Sequence, residues 1–340
     1  MQSSNSSASS SVAALFACVV ISVSAFSVFL AQLILNIKTV LSTSNMKNWS
    51  EAMQFKELGK GVKIPILGIG TWKMGGDKEA DTTFDKENIF TIKSTIKLGI
   101  THIDTAEGYG NGHAEQLVGE SIQEFQRGKL FITTKVTATH LRYNDVISAA
   151  KRSLIRLKTS YVDLYLIHGP NPDIPVEETM RAMDYLVEKK LIRFIGVSNF
   201  SAEQIREAQQ HTKYKVVANQ IEYNLLTREE GSGPIPYFTV NMESEIIPYC
   251  QKNGIMVIAY QPLAGGQLAR PGIKMLDDLA EKYDKTPAQI AINWLISKPN
   301  IITTPKAANL EHVRENLGAI GWRLSEEDMH WLDREFPRRK

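Results

Sequence analysis

Four side chains of complementary chemistry close or follow short apolar runs in this sequence. Asp104 comes after Thr101–Ile103, with Tyr109 in the loop beyond it; Lys135 comes just after Leu130–Thr133, and His168 after Val162–Ile167. A phenol is a weak acid with a pKa of about 10, but an adjacent ammonium stabilises its phenolate and brings that value down. Lys135, itself held by Asp104, would act on Tyr109 in this way, and the set would form a proton-transfer device. Other apolar runs also end in groups that hydrogen-bond or ionise: Thr71 and Trp72, Ser198 and Asn199, Gln220, Tyr260 and Lys306. One Asp after a strand reads as a helix cap and one His as a packed ring. A polar group at almost every strand end calls instead for a shared site.

Elimination narrows the chemistry. No His-Glu-x-x-His stretch or paired-cysteine motif occurs, so no catalytic metal is expected, and no Gly-x-Ser-x-Gly elbow supports acyl transfer. Gly-Tyr-Gly-Asn-Gly at Gly108–Gly112 lacks the spacing of the dinucleotide fingerprint. The two cysteines, Cys18 and Cys250, are too few for a disulfide scaffold, which fits a reducing compartment. With 39 Lys plus Arg against 37 Asp plus Glu, the net charge of +2 excludes a nucleic-acid binder relying on a basic surplus.

The elements that would bring these residues together are eight apolar runs: Ile66–Gly70, Thr101–Ile103, Leu130–Thr133, Val162–Ile167, Ile192–Val197, Val216–Ala218, Ile255–Ala259 and Asn300–Thr303. Helical periodicity separates them, over Lys86–Leu98, Ala114–Phe125, Asn144–Leu157, Val176–Lys189, Ala202–Gln210, Met242–Lys252 and Pro287–Ser297. Parallel strands need such crossovers, and residues 53–340 have about the length of one (β/α)8 barrel. Ser201 with Gln204, and Thr286 before Pro287, are helix starts, and Gly99 and Gly254 are left-handed helix ends. Gly59–Gly61 predicts a hairpin between Gln54–Leu58 and Val62–Pro65 that caps the barrel bottom. The Gly- and Pro-containing connection Thr227–Asn241 reads as a surface excursion or a flap over a site.

Residues 1–45 belong to another physical class. No charge precedes Lys38, and Val12–Leu35 is an apolar run of 24 residues, roughly 36 Å as a helix, enough to span a bilayer. It is too long for a secretory signal and lacks the basic start. Lys38, Lys47 and Lys56 follow it, so the expectation is a membrane anchor with the barrel in the cytosol. The alternative is a cytoplasmic protein whose translation starts at Met46 or Met53.

From about Gln54 to Leu332 the sequence resembles the aldo-keto reductase family, in the manner of its compact microbial and archaeal members. The likeness rests on Gly-Ile-Thr-His-Ile-Asp-Thr-Ala-Glu-Gly-Tyr-Gly (Gly99–Gly110), Thr-Thr-Lys (Thr133–Lys135), Asp-Leu-Tyr-Leu-Ile-His (Asp163–His168), Gly-Val-Ser-Asn-Phe (Gly196–Phe200) and Ala-Asn-Gln (Ala218–Gln220). It implies reversible reduction of aldehydes or ketones by NADPH or NADH. Tyr109 would give the proton, with Asp104 and Lys135 setting its acidity and His168 orienting the carbonyl. Ser198, Asn199 and Gln220 would hold the nicotinamide amide, Tyr260 would stack on its ring, and Gly70, Thr71, Trp72, Gln261 and Leu263 would complete the cofactor wall.

Thr304–Asn316 resembles the family's adenosine-phosphate clasp, with Lys306 on the 2′-phosphate and Glu315 and Asn316 at the adenine. Ala307 stands where many members carry Ser and His312 where they carry Arg, which predicts relaxed choice between NADPH and NADH. Gly169, where members often place Trp, and the short tail after Ser325–Arg334 open the substrate side, leaving Trp72, with Lys73 and His140, as further contacts beside Tyr109 and His168. Arg338, Arg339 and Lys340 read as a solvated end, and the expected state is a monomer. Two alternatives stay open: a cofactor-sensing regulatory subunit of a membrane complex on the same fold, and an aldolase using Lys135 as a Schiff base.

Overall fold

The structure, a computed structural model, describes residues 49–59, 61–233, 239–307 and 309–336. An antiparallel hairpin, β1 (Phe55–Gly59) and β2 (Val62–Pro65), precedes eight strands: β3 (Gly68–Gly70), β4 (His102–Asp104), β5 (Phe131–Val136), β6 (Val162–Ile167), β7 (Ile192–Ser198), β8 (Val216–Glu222), β9 (Met256–Tyr260) and β10 (Ile301–Thr303). The eight pair in parallel in chain order. Parallel bridges Leu67–Thr303 and Gly70–Lys306 then join the first strand to the last, closing a (β/α)8 barrel. At this seam a Cβ on Gly70 would sit 2.7 Å from the Thr304 carbonyl oxygen, so glycine is what lets the edges meet. Strands β5, β6 and β8 are buried at every position, as expected of parallel strands covered by helices on one side and packed core on the other.

The predicted helices form, with informative differences at their ends. Ser201 and Thr286 each make a full capping box, with Gln204 and Gln289 as the return partners, worth about 1 kcal/mol apiece. Gly99 and Gly254 have φ of 101° and 60°, the left-handed ends expected. The Ala114–Phe125 stretch is not one helix: the α-helix runs His113–Ser121 and gives way to a 3-10 turn at Ile122–Glu124. The Ser121 hydroxyl back-bonds to the Leu117 carbonyl, which competes with helix continuation. Met242–Lys252 opens as a π turn, Met242–Ile246, before the α-helix Ile247–Lys252, because Pro248 has no N–H to continue a regular ladder. Leu310–Leu317, read only as part of a clasp, is a helix capped by Asn309, and the tail helix is Glu326–Glu335 behind its cap Ser325.

The hairpin is fastened to the N-terminal end of the barrel. Lys56 Nζ donates to the carbonyls of Ile296, Lys298 and Ile301 at 2.8, 2.6 and 2.6 Å, so all three ammonium protons are satisfied. The candidate membrane segment 12–35, the start choices at Met46 and Met53 and the basic end 338–340 fall wholly or partly outside the described residues, as do 234–238 of the long connection. Among the described residues no helix is long and apolar enough to cross a membrane.

His102, at the start of β4, is fully buried and shares a 3.0 Å hydrogen bond with Thr133 Oγ1. Burial pulls it down to about 4, against the pull of Asp104, so the folded barrel keeps it neutral. An unfolded histidine takes its proton near pH 6.5. Stability contributed by the neutral ring is therefore complete above pH 6.5 and falls as the pH drops towards 4, by about 3 kcal/mol. Urea titrations at pH 7, 5.5 and 4 should show this slope, and His102→Gln, though less stable at pH 7, should flatten it.

Candidate active site

The barrel brings Asp104, Tyr109, Lys135 and His168 together. Asp104 is the last residue of β4, and Lys135 lies near the end of β5 with its side chain fully buried. Lys135 Nζ donates to Asp104 Oδ1 at 2.6 Å, to the Thr105 carbonyl at 2.9 Å and to the Tyr109 hydroxyl at 3.2 Å. Because the phenol oxygen accepts from Lys135, its own proton points elsewhere. The Tyr109 and His168 rings meet edge to face with centroids 5.7 Å apart, and both residues line the same cavity. Gln220 Nε2 donates to the second Asp104 oxygen at 2.8 Å, which makes Gln220 a support of the acid as well as a wall of the cavity.

Electrostatics follow from this packing. Burial alone would lower Lys135, but the charge of Asp104 and the Tyr109 phenol overcome it and hold its pKa above the ordinary lysine range. The lysine is therefore a permanent cation. His168 is driven well below 6.5 by burial and then by the Lys135 charge, so it is a neutral imidazole able to donate one N–H.

A cavity of 920 Å³ runs from these residues along the C-terminal strand ends. Of the residues expected at the cofactor and substrate, Gly70, Trp72, Asp104, Tyr109, His168, Asn199, Gln220, Tyr260, Gln261, Leu263, Lys306, His312, Glu315 and Asn316 all line it. Thr71, Ser198 and Ala307 do not. Thr71 Oγ1 donates to the Asp104 carbonyl, Ser198 Oγ donates to the Gln220 carbonyl, and Ala307 is 2% exposed, so the first two support neighbours and the third is packed away. Asn199 has φ of 61° and accepts from the Tyr260 hydroxyl at 3.1 Å, which locks two wall residues together. His140 is bonded to Glu107 and is not among the lining residues. Sequence reasoning missed Thr137, Gly265, Gly266 and Arg270, which also line the cavity. The Gly-Gly pair was the available signal: Gly265 and Gly266 have φ of 66° and 91° in a strap just after β9.

The cavity wall offers amide groups in one part and the cation of Lys306 in another. Hydrogen-bonding Asn199 and Gln220 lie beside Asp104 and His168, while Lys306 and His312 gather near the capped N-terminus of Leu310–Leu317. A model of the aldo/keto reductase family matches residues 66–334. The chain belongs to this family. It is 34% identical to methylglyoxal reductase YeaE of Escherichia coli, over 81% of this chain and 92% of that one. Glyoxal reductase of Bacillus subtilis is also 34% identical, over 82% and 91%. Among solved structures, the thermostable aldo-keto reductase Tm1743 superposes with a TM-score of 0.76 at 44% identity, covering 83% of this chain and 99% of that one. An aldo/keto reductase from Klebsiella pneumoniae in complex with NADP and acetate gives 0.72 at 33% identity, covering 83% and 95%.

This aldo-keto reductase is accordingly an oxidoreductase that reduces carbonyl groups, and the regulatory-subunit alternative finds no support among these relatives. Because its His168 stays neutral, kcat/KM for reduction should be level between pH 5.5 and 7.5. An acidic limb near pH 6.5 would show that His168 titrates. His168→Gln, which keeps an N–H donor, should retain more activity than His168→Leu, where loss of a donor to a developing oxyanion costs about 10²- to 10³-fold.

Proposed function

We propose that this reductase uses NADPH, and NADH with modest preference, to reduce small aldehydes of the 2-oxoaldehyde class, with Tyr109 as the proton donor. The observation that carries the reading is the Lys135 to Tyr109 hydrogen bond, which sets a buried ammonium against the phenol oxygen, where it would stabilise a phenolate. The nicotinamide, when bound, supplies the hydride. His168 donates a hydrogen bond to the carbonyl oxygen and sets its position. Tyr109 releases its proton to that oxygen as negative charge grows there, and the Lys135 ammonium stabilises the phenolate left behind. Both donors strengthen as charge develops, which favours the transition state over the bound substrate. Asp104 and Gln220 keep Lys135 aimed at the phenol.

The names methylglyoxal reductase and glyoxal reductase support the substrate class. So does the absence of a bulky side chain after His168, where Gly169 stands, with the half-exposed Trp72 as the aromatic wall. In the clasp, the Lys306 side chain is exposed, and partial desolvation and the charge of Lys73 lower its pKa. Ala307 offers no hydroxyl, which supports the expectation of relaxed cofactor choice. A monomer is the expected working state.

Tyr109→Phe should lower kcat/KM for methylglyoxal by about 10²-fold or more while NADPH still quenches protein fluorescence with unchanged affinity. Turnover persisting in this variant would overturn the proton-donor assignment. The kcat/KM ratio of NADPH to NADH should stay below about a thousandfold, because ~4 kcal/mol exceeds what Lys306 alone supplies. Lys306→Ala should bring the ratio close to one.

A further inference from the structure

We propose that Glu107 is a positioning residue for proton transfer, its carboxylate keeping the loop that carries Tyr109 in register with the Lys135 strand beyond the point where strand pairing ends. The inference rests on Tyr109 being the proton donor. Regular pairing of β4 with β5 stops at Asp104 and Thr133, and the bonds that follow lengthen from 2.9 Å at Thr105 N to the Thr133 carbonyl to 3.3 Å at Glu107 N to the Lys135 carbonyl. Tyr109 lies two residues further on, at the head of a turn whose Gly110, Asn111 and Gly112 have φ of 55°, 53° and 89°. No ladder reaches it, yet its hydroxyl has to stay 3.2 Å from Lys135 Nζ.

The loop's own backbone is held by Gly110 N donating to the Asp77 carbonyl at 2.8 Å, and Glu107 supplies the side-chain tie to the β5 side. Its side chain is 5% exposed, and Oε1 accepts from Thr137 N and from His140 Nδ1, both at 2.9 Å. The Arg152 guanidinium stands near the other oxygen, with Nη2 3.7 Å from Oε2. From the other side Tyr165, on β6, is close enough for the Glu107 charge to oppose its ionisation. Thr137 is two residues past Lys135 as Glu107 is two residues before Tyr109, so the carboxylate bridges the two chain segments that the catalytic pair occupies. The bond to Thr137 depends on reach, since an amide oxygen at the same place would accept equally well.

The test is a three-variant series in the full-length enzyme, read as kcat, KM for NADPH and the pH profile of aldehyde reduction. Glu107→Gln keeps the reach and an acceptor and should stay within about threefold of wild type, with an unchanged profile. Glu107→Ala and the shortened Glu107→Asp should lose about 10- to 100-fold in kcat, as misplacement of a reacting group does, at constant KM for NADPH. In both, the high-pH limb should move upward by about half a unit or more, because a phenol further from the ammonium holds its proton more tightly. Glu107→Asp carries the test where the alanine variant does not fold. Three results would overturn the proposal: wild-type kcat and profile in Glu107→Asp, a loss in Glu107→Gln as deep as in Glu107→Asp, or a kcat loss with an unmoved limb. Tyr109→Phe in the same assay separates the two readings, since its retained activity defeats the donor assignment itself, whereas its inactivity beside a normal Glu107→Asp defeats only the role of Glu107.

Discussion

Lys135 carries a charge into the barrel with none of its side chain exposed, and Asp104, 2.6 Å away, is nearly as enclosed. Taking two ions out of water costs several kcal/mol each, and their attraction offsets this only where the remaining protons and lone pairs are also satisfied. Here they are, through the Thr105 carbonyl, the Tyr109 hydroxyl and the Gln220 amide. The pair thus binds β4, β5, β8 and the Tyr109 loop into one arrangement, and the catalytic geometry is inseparable from the requirement that these charges not be left unpaired. Burial, and after it the same cation, keeps His168 neutral.

The barrel turns sequence distance into proximity. Asp104 and Gln220 are 116 positions apart and hydrogen-bonded at 2.8 Å. Residues on the strands themselves, Asp104, Lys135 and Gln220, inherit their positions from the parallel ladder, whose neighbours fix them on both sides. Groups beyond the strand ends need separate devices: left-handed glycines around Tyr109, the Glu107 carboxylate, and the Asn199 to Tyr260 bond across the mouth. At another part of the wall, Lys306 lines the cavity just before the helix Leu310–Leu317, whose start Asn309 caps, and His312 lines it from that helix.

Much of this was legible beforehand because barrels place chemistry at a regular address. Apolar runs ending in polar groups located the strand ends, and the capping boxes at Ser201 and Thr286 located two helix starts, since both signals are local and carry their physics in adjacent residues. Helix ends were harder. Ser121 and Pro248 alter the backbone through a hydroxyl back-bond and a missing donor, neither of which disturbs the apolar periodicity that marks a helix. The family resemblance implies that Thr71 and Ser198 hold the cofactor, whereas each hydroxyl is turned to a neighbouring strand's carbonyl. Side-chain direction at a strand end depends on the adjoining loop, which no residue spacing reports.

By itself the sequence determined the alternation of strands and helices, through local periodicity, and the family, through its motifs, and it placed an acid, a lysine, a phenol and an imidazole at or just past strand ends. Only the tertiary structure decided their states and supports: that Lys135 stays charged, that His168 stays neutral, that Gln220 holds Asp104, and that Glu107 joins two loops. The reason is physical. Protonation depends on burial and on which charges lie within a few ångströms, and those distances exist only once the strands have closed on one another.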